Sequence, residues 1–163
     1  MYLLWESYSY LLLPVTGFLV FSFLAFFTIL RGKRSSTNIL FACICFLGAL
    51  IDLDIAQVSF LADQSLSLRL DRLSYLFFVF VTPVYIQFVH AFLGTKKRRW
   101  LEGIAYLFSM ALLPFTQTEY FIRGLRQFSF GRIAEAGPVY YVFSVAGGIA
   151  ALYCIATLFW GMK

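Results

Sequence analysis

The sequence predicts an all-α fold, a polytopic transmembrane helix bundle of about five spans with the N-terminus outside and the C-terminus cytoplasmic. Composition is the first ground: 61% of the 163 residues are hydrophobic and 13% charged, more apolar and less charged than a water-soluble domain. The second is spacing. The apolar residues gather in runs of about twenty, the length a helix needs to cross about 30 Å of hydrocarbon. Lipid leaves unmet the hydrogen bonds of an open sheet edge, so the spans are helices. Outer-membrane strands would alternate apolar and polar residues, and no such alternation is present. The third is the placing of lysine and arginine, which sets the topology.

The first run covers residues 10–30, too long and unbroken for a signal-peptide core and without a basic stretch before it. It ends at Arg31, Gly32, Lys33 and Arg34. The second opens after Ser35, Ser36 and Thr37 and covers 38–61; the third covers 73–93, the fourth, the shortest, 101–115, and the fifth 139–160. Residues 117–137 mix aromatics with arginines and are expected to lie along the outer surface as a loop or short interfacial helix. All 163 residues belong to one membrane domain.

Arg31, Lys33 and Arg34 form one basic loop, Lys96, Lys97, Arg98 and Arg99 another, and Lys163 follows the fifth span. In the opposite segments Arg69, Arg72, Arg123, Arg126 and Arg132 are matched by Glu6, Asp63, Asp71, Glu119 and Glu135. Short loops rich in lysine and arginine stay in the cytoplasm, which sets the orientation. The net charge of +5 is thereby assigned to topology, and nucleic acid is not an expected partner. Trp5, Tyr8, Tyr10, Trp100 and Trp160 fall near span ends, where amphipathic rings favour the headgroup zone.

Polar groups inside the spans are the candidates for function. Asp52, Asp54 and Gln57 lie in the second span, where an ionised carboxylate costs about 2.5–3.5 kcal/mol unless it faces a partner or a cavity. At helical spacing Asp54 and Gln57 share a face and Asp52 points elsewhere. Arg69 and Arg72 precede the third span on the same side and are their natural partners. These five residues form the expected ligand-binding or switch site. The opposing reading is that the acids hydrogen-bond between helices or sit at the outer interface.

His90, the one histidine, has no Cys, Asp or second His at ligand spacing, so no metal site is expected; a structural or interfacial role is expected, with pH sensing as the sharper alternative. Pro83 removes one helical hydrogen bond and is a candidate kink. Cys43, Cys45 and Cys154 lie within apolar runs and read as packing residues. Gly147 and Gly148, with alanines around them, give the fifth span a face where another helix can approach closely. No phosphate-binding loop, HExxH or GxSxG motif is present, so no enzyme activity and no cofactor are expected of these residues.

Four stretches carry a family resemblance: Asn38-Ile39-Leu40-Phe41-Ala42; Arg72-Leu73-Ser74-Tyr75; Pro83-Val84-Tyr85-Ile86-Gln87-Phe88-Val89-His90; and Phe130-Gly131 with Gly137-Pro138-Val139-Tyr140. In order and topology they resemble the seven-helix membrane sensor region at the N-terminus of some bacterial histidine kinases. The resemblance implies a signal-transducing module of a two-component system in the bacterial inner membrane. It also implies passage of the signal to cytoplasmic dimerisation and kinase domains. Two further spans, the phospho-accepting His and the ATP-binding domain have no counterpart in the sequence. The chain is therefore expected to be either a piece of a larger sensor or the same bundle used as a stand-alone subunit. The expected partners are the lipid bilayer and a second copy or other membrane subunits. The competing reading is a structural or assembly subunit of a membrane complex.

Overall fold

In the computed structural model residues 2–61, 63–95, 99–128 and 131–161 are described, with side chains from Leu11 onward and Phe60 excepted. Six helices, α1 (Tyr2–Arg31), α2 (Ser36–Phe60), α3 (Gln64–Phe78), α4 (Val81–Phe92), α5 (Arg99–Thr116) and α6 (Pro138–Gly161), are joined by one hairpin, β1 (Ile122–Phe128) and β2 (Gly131–Ala136). The helical class is as the sequence requires. Among the described residues four stretches are long and apolar enough to cross a membrane: Leu11–Arg31, Ser36–Ser59, Gln64–Phe92 and Pro138–Gly161. The α5 helix, where a span over 101–115 was expected, is not among them.

The α1 and α2 helices pack antiparallel, because the chain reverses within four residues. Gly32 N–H closes on the Thr28 carbonyl, the Ser35 hydroxyl accepts from Asn38 N–H as the α2 N-cap, and Asn38 Nδ2 donates to the Lys33 carbonyl. Small residues set the register: the Gly48 backbone faces the Phe21 ring, and Gly17 faces Asp52.

The third span differs from its expected 73–93. It begins nine residues earlier, at Gln64, because Asp63 supplies an N-cap that the apolar run alone did not reveal. Its carboxylate accepts from the backbone N–H of Ser65 and Leu66 and from the Ser65 hydroxyl. The Ser65 hydroxyl, with the two amides, holds this exposed carboxyl below its ordinary value of 3.8. A depressed folded-state pKa contributes stability above the ordinary value, and that contribution is lost as pH falls through the lowered one. Asp63→Ala should therefore melt at a lower temperature than the parent near neutral pH. In circular-dichroism melts the gap should close once the medium is acid enough to protonate Asp63.

The same span breaks at Val79–Phe80, between α3 and α4. Pro83 has no N–H to give the Val79 carbonyl four residues back. The Ser109 hydroxyl of α5 donates to that carbonyl instead, at 2.6 Å. The expected kink is real, and a neighbouring helix repairs it.

Where a loop or an interfacial helix was expected over 117–137, β1 and β2 form an antiparallel hairpin pairing Leu125 with Ala134 and Gln127 with Arg132, with a bulge between Ile122 and Gly124. The reason is side-chain disposition: Phe121, Ile122 and Leu125 turn inward while Arg123 and Arg126 stay exposed. Phe121 and Ile122 join Val79 and Leu112 in the core at this end of the bundle. Phe121 is sealed edge-on by Tyr75 and Tyr140, with ring centroids 5.1 and 5.6 Å away. At the opposite end a second core of Ile86, Val89 and Cys154 joins α4 to α6. Cys45 is buried as well, whereas Cys43 is exposed.

Candidate functional site

Beneath the hairpin the α2 and α3 helices bring two acids together. Asp54 is buried on α2, with Gln57 Nε2 donating to its Oδ1 at 2.6 Å. One helix away, Ser67, Asp71 and Ser74 fall on one face of α3 at spacings of four and three. Asp71 is 2% exposed and in side-chain contact with Asp54. Two carboxylates have no proton to donate to each other, so this contact is satisfied only by a shared proton or a bound cation. Left as carboxylates, the pair strands Asp71 Oδ2, which is buried with no donor. Tyr75 lies one position past Ser74 and pairs with Tyr140 of α6, ring centroids 5.8 Å apart.

Asp54, Asp71, Tyr75 and Tyr140 line a cavity of about 260 Å³ beneath the hairpin. Its other walls are mostly apolar, from Ile55, Val58, Ile122 and Ala134. Arg132 on β2 stands at its edge and ties the hairpin to α2 by donating to the Leu61 carbonyl at 2.6 Å. The α3 side is tied by the Arg72 guanidinium, which donates to the Ile122 carbonyl at 2.7 and 3.2 Å. Gln64 Nε2 donates to the Leu125 carbonyl at 3.2 Å.

Of the five residues expected at the site, Asp54 and Gln57 meet as their spacing requires. Asp52 points away from them, with its carboxylate against the backbone of Gly17 in α1 and its Oδ2 buried without a donor. Arg72 reaches the neighbourhood, but its guanidinium grips a backbone carbonyl of β1. Arg69 is exposed, beside Asp63. The sequence reading missed Asp71, Tyr75 and Tyr140. Asp71 had been counted as a surface charge because the third span was begun too late; starting it at Gln64 puts Ser67, Asp71 and Ser74 on one stripe.

A second polar cluster lies at the opposite end, where α4 closes with Gly94 at φ +66°. Thr95 N–H reaches the His90 carbonyl and Gly94 N–H the Ala91 carbonyl, a cap that needs a residue free to turn left-handed. His90, 2% exposed, sits one turn inside this cap. Its Nδ1 lies 2.8 Å from Glu102 Oε1 of α5, and its Nε2 lies 2.8 Å from the Tyr153 hydroxyl of α6. A neutral ring donating from Nδ1 to the carboxylate and accepting the Tyr153 proton at Nε2 satisfies all three groups. The contact with Glu102 is the one ion-pair geometry among the described residues. His90 thus pins α4 to both α5 and α6, the structural role its isolation in the sequence suggested, with partners no spacing rule could supply. Glu102→Ala should lower stability by about 1–3 kcal/mol, the cost of an unpaired buried donor, read as an earlier loss of structure in a denaturant titration.

No group of three or more His, Cys, Asp or Glu side chains is arranged to hold a metal ion among the described residues. The chain matches no family model, and no curated protein and no solved structure is similar to it.

Proposed function

We propose that the chain is a membrane-embedded sensory module, not itself catalytic, that receives its stimulus in the cavity beneath the hairpin. The observation carrying this reading is the buried Asp54–Asp71 contact. Such a pair in a span is retained at the cost of burying charge, and it sits beneath a hairpin whose polar ties run through Arg72, Gln64 and Arg132. A change in what the two carboxyls hold alters the spacing of α2 and α3. That movement reaches the α3–α4 break at Val79 directly, since Asp71 lies two turns before it on α3. The α4 helix then carries the change to the His90 cluster at the other end. A stimulus acts here by favouring one of two helix arrangements through differential contacts.

In this reading all five hydrophobic helical stretches span the membrane, with α5 the shortest. Arg31, Lys33, Arg34 and Arg99 support a cytoplasmic position for their end of the bundle, with the hairpin outside. The four stretches resembling the sensor region of histidine kinases favour the inner membrane of a bacterium and a signalling partner on its cytoplasmic side.

Hydrogen–deuterium exchange of the chain in lipid nanodiscs tests the relay. Asp71→Asn, which keeps the shape of the pair, should change exchange at α4 residues 86–92 and α5 residues 99–106 as well as near the substitution. Changes confined to α2, α3 and the hairpin would remove the relay. One observation favours an assembly subunit instead. The α6 helix buries only Cys154 and leaves Tyr141, Val145, Ile149, Leu152 and Phe159 exposed, with open space over Gly148. Constant recovery with one partner in fixed ratio, together with an Asp71→Asn variant silent in exchange, would decide for that reading.

A further inference from the structure

We infer that the cavity beneath the hairpin binds a small organic ammonium ion, held by Asp54 and Asp71 and faced by the rings of Tyr75 and Tyr140.

The inference deepens the sensory reading by naming the class of ligand, and it starts from the unsatisfied atom. Asp71 lines the cavity, and its Oδ2 is buried with no donor among the described residues. An ammonium group supplies up to three N–H donors and a positive charge, which together complete both carboxyls. Tyr75 and Tyr140 line the same cavity as the acids, and aromatic rings attract organic cations. The remaining walls suit a ligand with a short hydrocarbon body: Ile55, Val58, Ile122 and Ala134 would cover alkyl carbons and could not hydrate a bare ion. A metal ion is the poorer occupant, since these two acids have no third acid, His or Cys beside them among the described residues.

Arg72 and Arg132, the cationic side chains nearby, reach for backbone carbonyls, although the Arg72 charge also acts on Asp71. Arg72 directs its Nε and Nη2 at the Ile122 carbonyl. Arg132 directs its Nη1 at the Leu61 carbonyl and its Nε at Gln127 Oε1. Both therefore fasten the roof of the cavity. Gln57, the remaining polar neighbour on α2, donates to Asp54. Entry of an ammonium displaces any proton shared by the two carboxyls, so binding should release protons to the medium.

Propylammonium chloride titrated calorimetrically into the intact chain in phosphatidylcholine nanodiscs near neutral pH is the test, with propanol as the neutral counterpart. Saturable heat is expected for propylammonium and none for propanol. The heat should vary between buffers of different ionisation enthalpy, as proton release requires. Asp71→Asn should weaken binding by about tenfold to a hundredfold, the effect of losing a charge-assisted hydrogen bond. Asp54→Asn reads the same contact from the other helix if the first variant does not yield folded protein. Absence of saturable heat, equal heat from propanol, or undiminished binding by the folded variants would overturn the inference. Binding without any change in exchange at residues 86–106 would leave the ammonium site standing and remove the sensory relay. The reverse pattern, no binding but a relayed effect of Asp71→Asn, would keep the relay and remove the ammonium ion.

Discussion

Replacing Gly137 with alanine should detach the hairpin from the bundle and lower stability by about 1–3 kcal/mol or more, the usual cost of forcing atoms into a filled space. Gly137 is buried where the hairpin returns to α6. Its N–H donates to the Phe121 carbonyl at 2.7 Å, and two residues on Val139 N–H donates to the Tyr120 carbonyl at 2.9 Å. A Cβ at this position would collide with the Tyr120 carbonyl group and crowd the Glu119 oxygen, all of them main-chain atoms. A side chain could swing aside; a backbone held by these two hydrogen bonds must shift as a unit. That shift withdraws Phe121 from between Tyr75 and Tyr140 and opens the cavity over Asp54 and Asp71. Trypsin added to the hairpin face of nanodisc-embedded protein should then cut at Arg123 and Arg126 faster than in the parent, and the melting temperature should fall. Gly124→Ala is the matched control, because open space surrounds a Cβ there and it lies on the same strand. Equal cleavage in the parent and both variants would mean that Gly137 does not fasten the hairpin.

Most of the helical layout was legible because lipid imposes it: apolar length and charged interruptions put α2 and α6 within two residues of their observed ends. What went unread were features decided by contacts distant in sequence. Phe121 and Ile122 look like any interfacial apolar residues until Tyr75, Leu112 and Tyr140 are found around them, and the hairpin delivers them there. The first strand shows no clean alternation, because the bulge at Arg123 breaks its period. The early start of α3 escaped for a local reason. Ser65, Ser67, Arg69, Asp71 and Arg72 lower the hydropathy of a segment in which Ser67 and Asp71 turn inward while Arg69 stays exposed.

The site was half legible for related reasons. Helical spacing alone joined Asp54 to Gln57 and separated Asp52 from both. Pairing an acid with the nearest arginine failed at Arg72, because a guanidinium offered an unpaired strand carbonyl at the bulge has a partner that charge counting does not see. His90 shows the same limit. Glu102 and Tyr153 lie 12 and 63 positions away, and only the packing of three helices brings them to its two nitrogens.

The largest effect expected inside the bundle comes from Ser109→Ala. Val79 is fully buried, and its carbonyl is the one that Pro83 leaves without a helical donor. Removing the Ser109 hydroxyl strands that oxygen among Phe80, Phe108 and Leu112, at a cost of about 1–3 kcal/mol. Were the break between α3 and α4 simply a fault of packing, Pro83→Ala would destabilise independently and the two losses would add. If the break is instead a helix interrupted by Pro83 and repaired by Ser109, alanine at position 83 restores an N–H that can reach the Val79 carbonyl. The double variant should then be more stable than the sum of the single losses allows, by about 0.5 kcal/mol or more, the scale on which neighbouring groups depart from additivity. Denaturant titration of the parent, both single variants and the double variant in one lipid–detergent mixture measures this directly. A coupling indistinguishable from zero would mean that the Ser109 bond does not compensate Pro83. A positive coupling would place a substitutable hydrogen bond at the joint between the Asp71 and His90 clusters, where a relay between the two ends must bend.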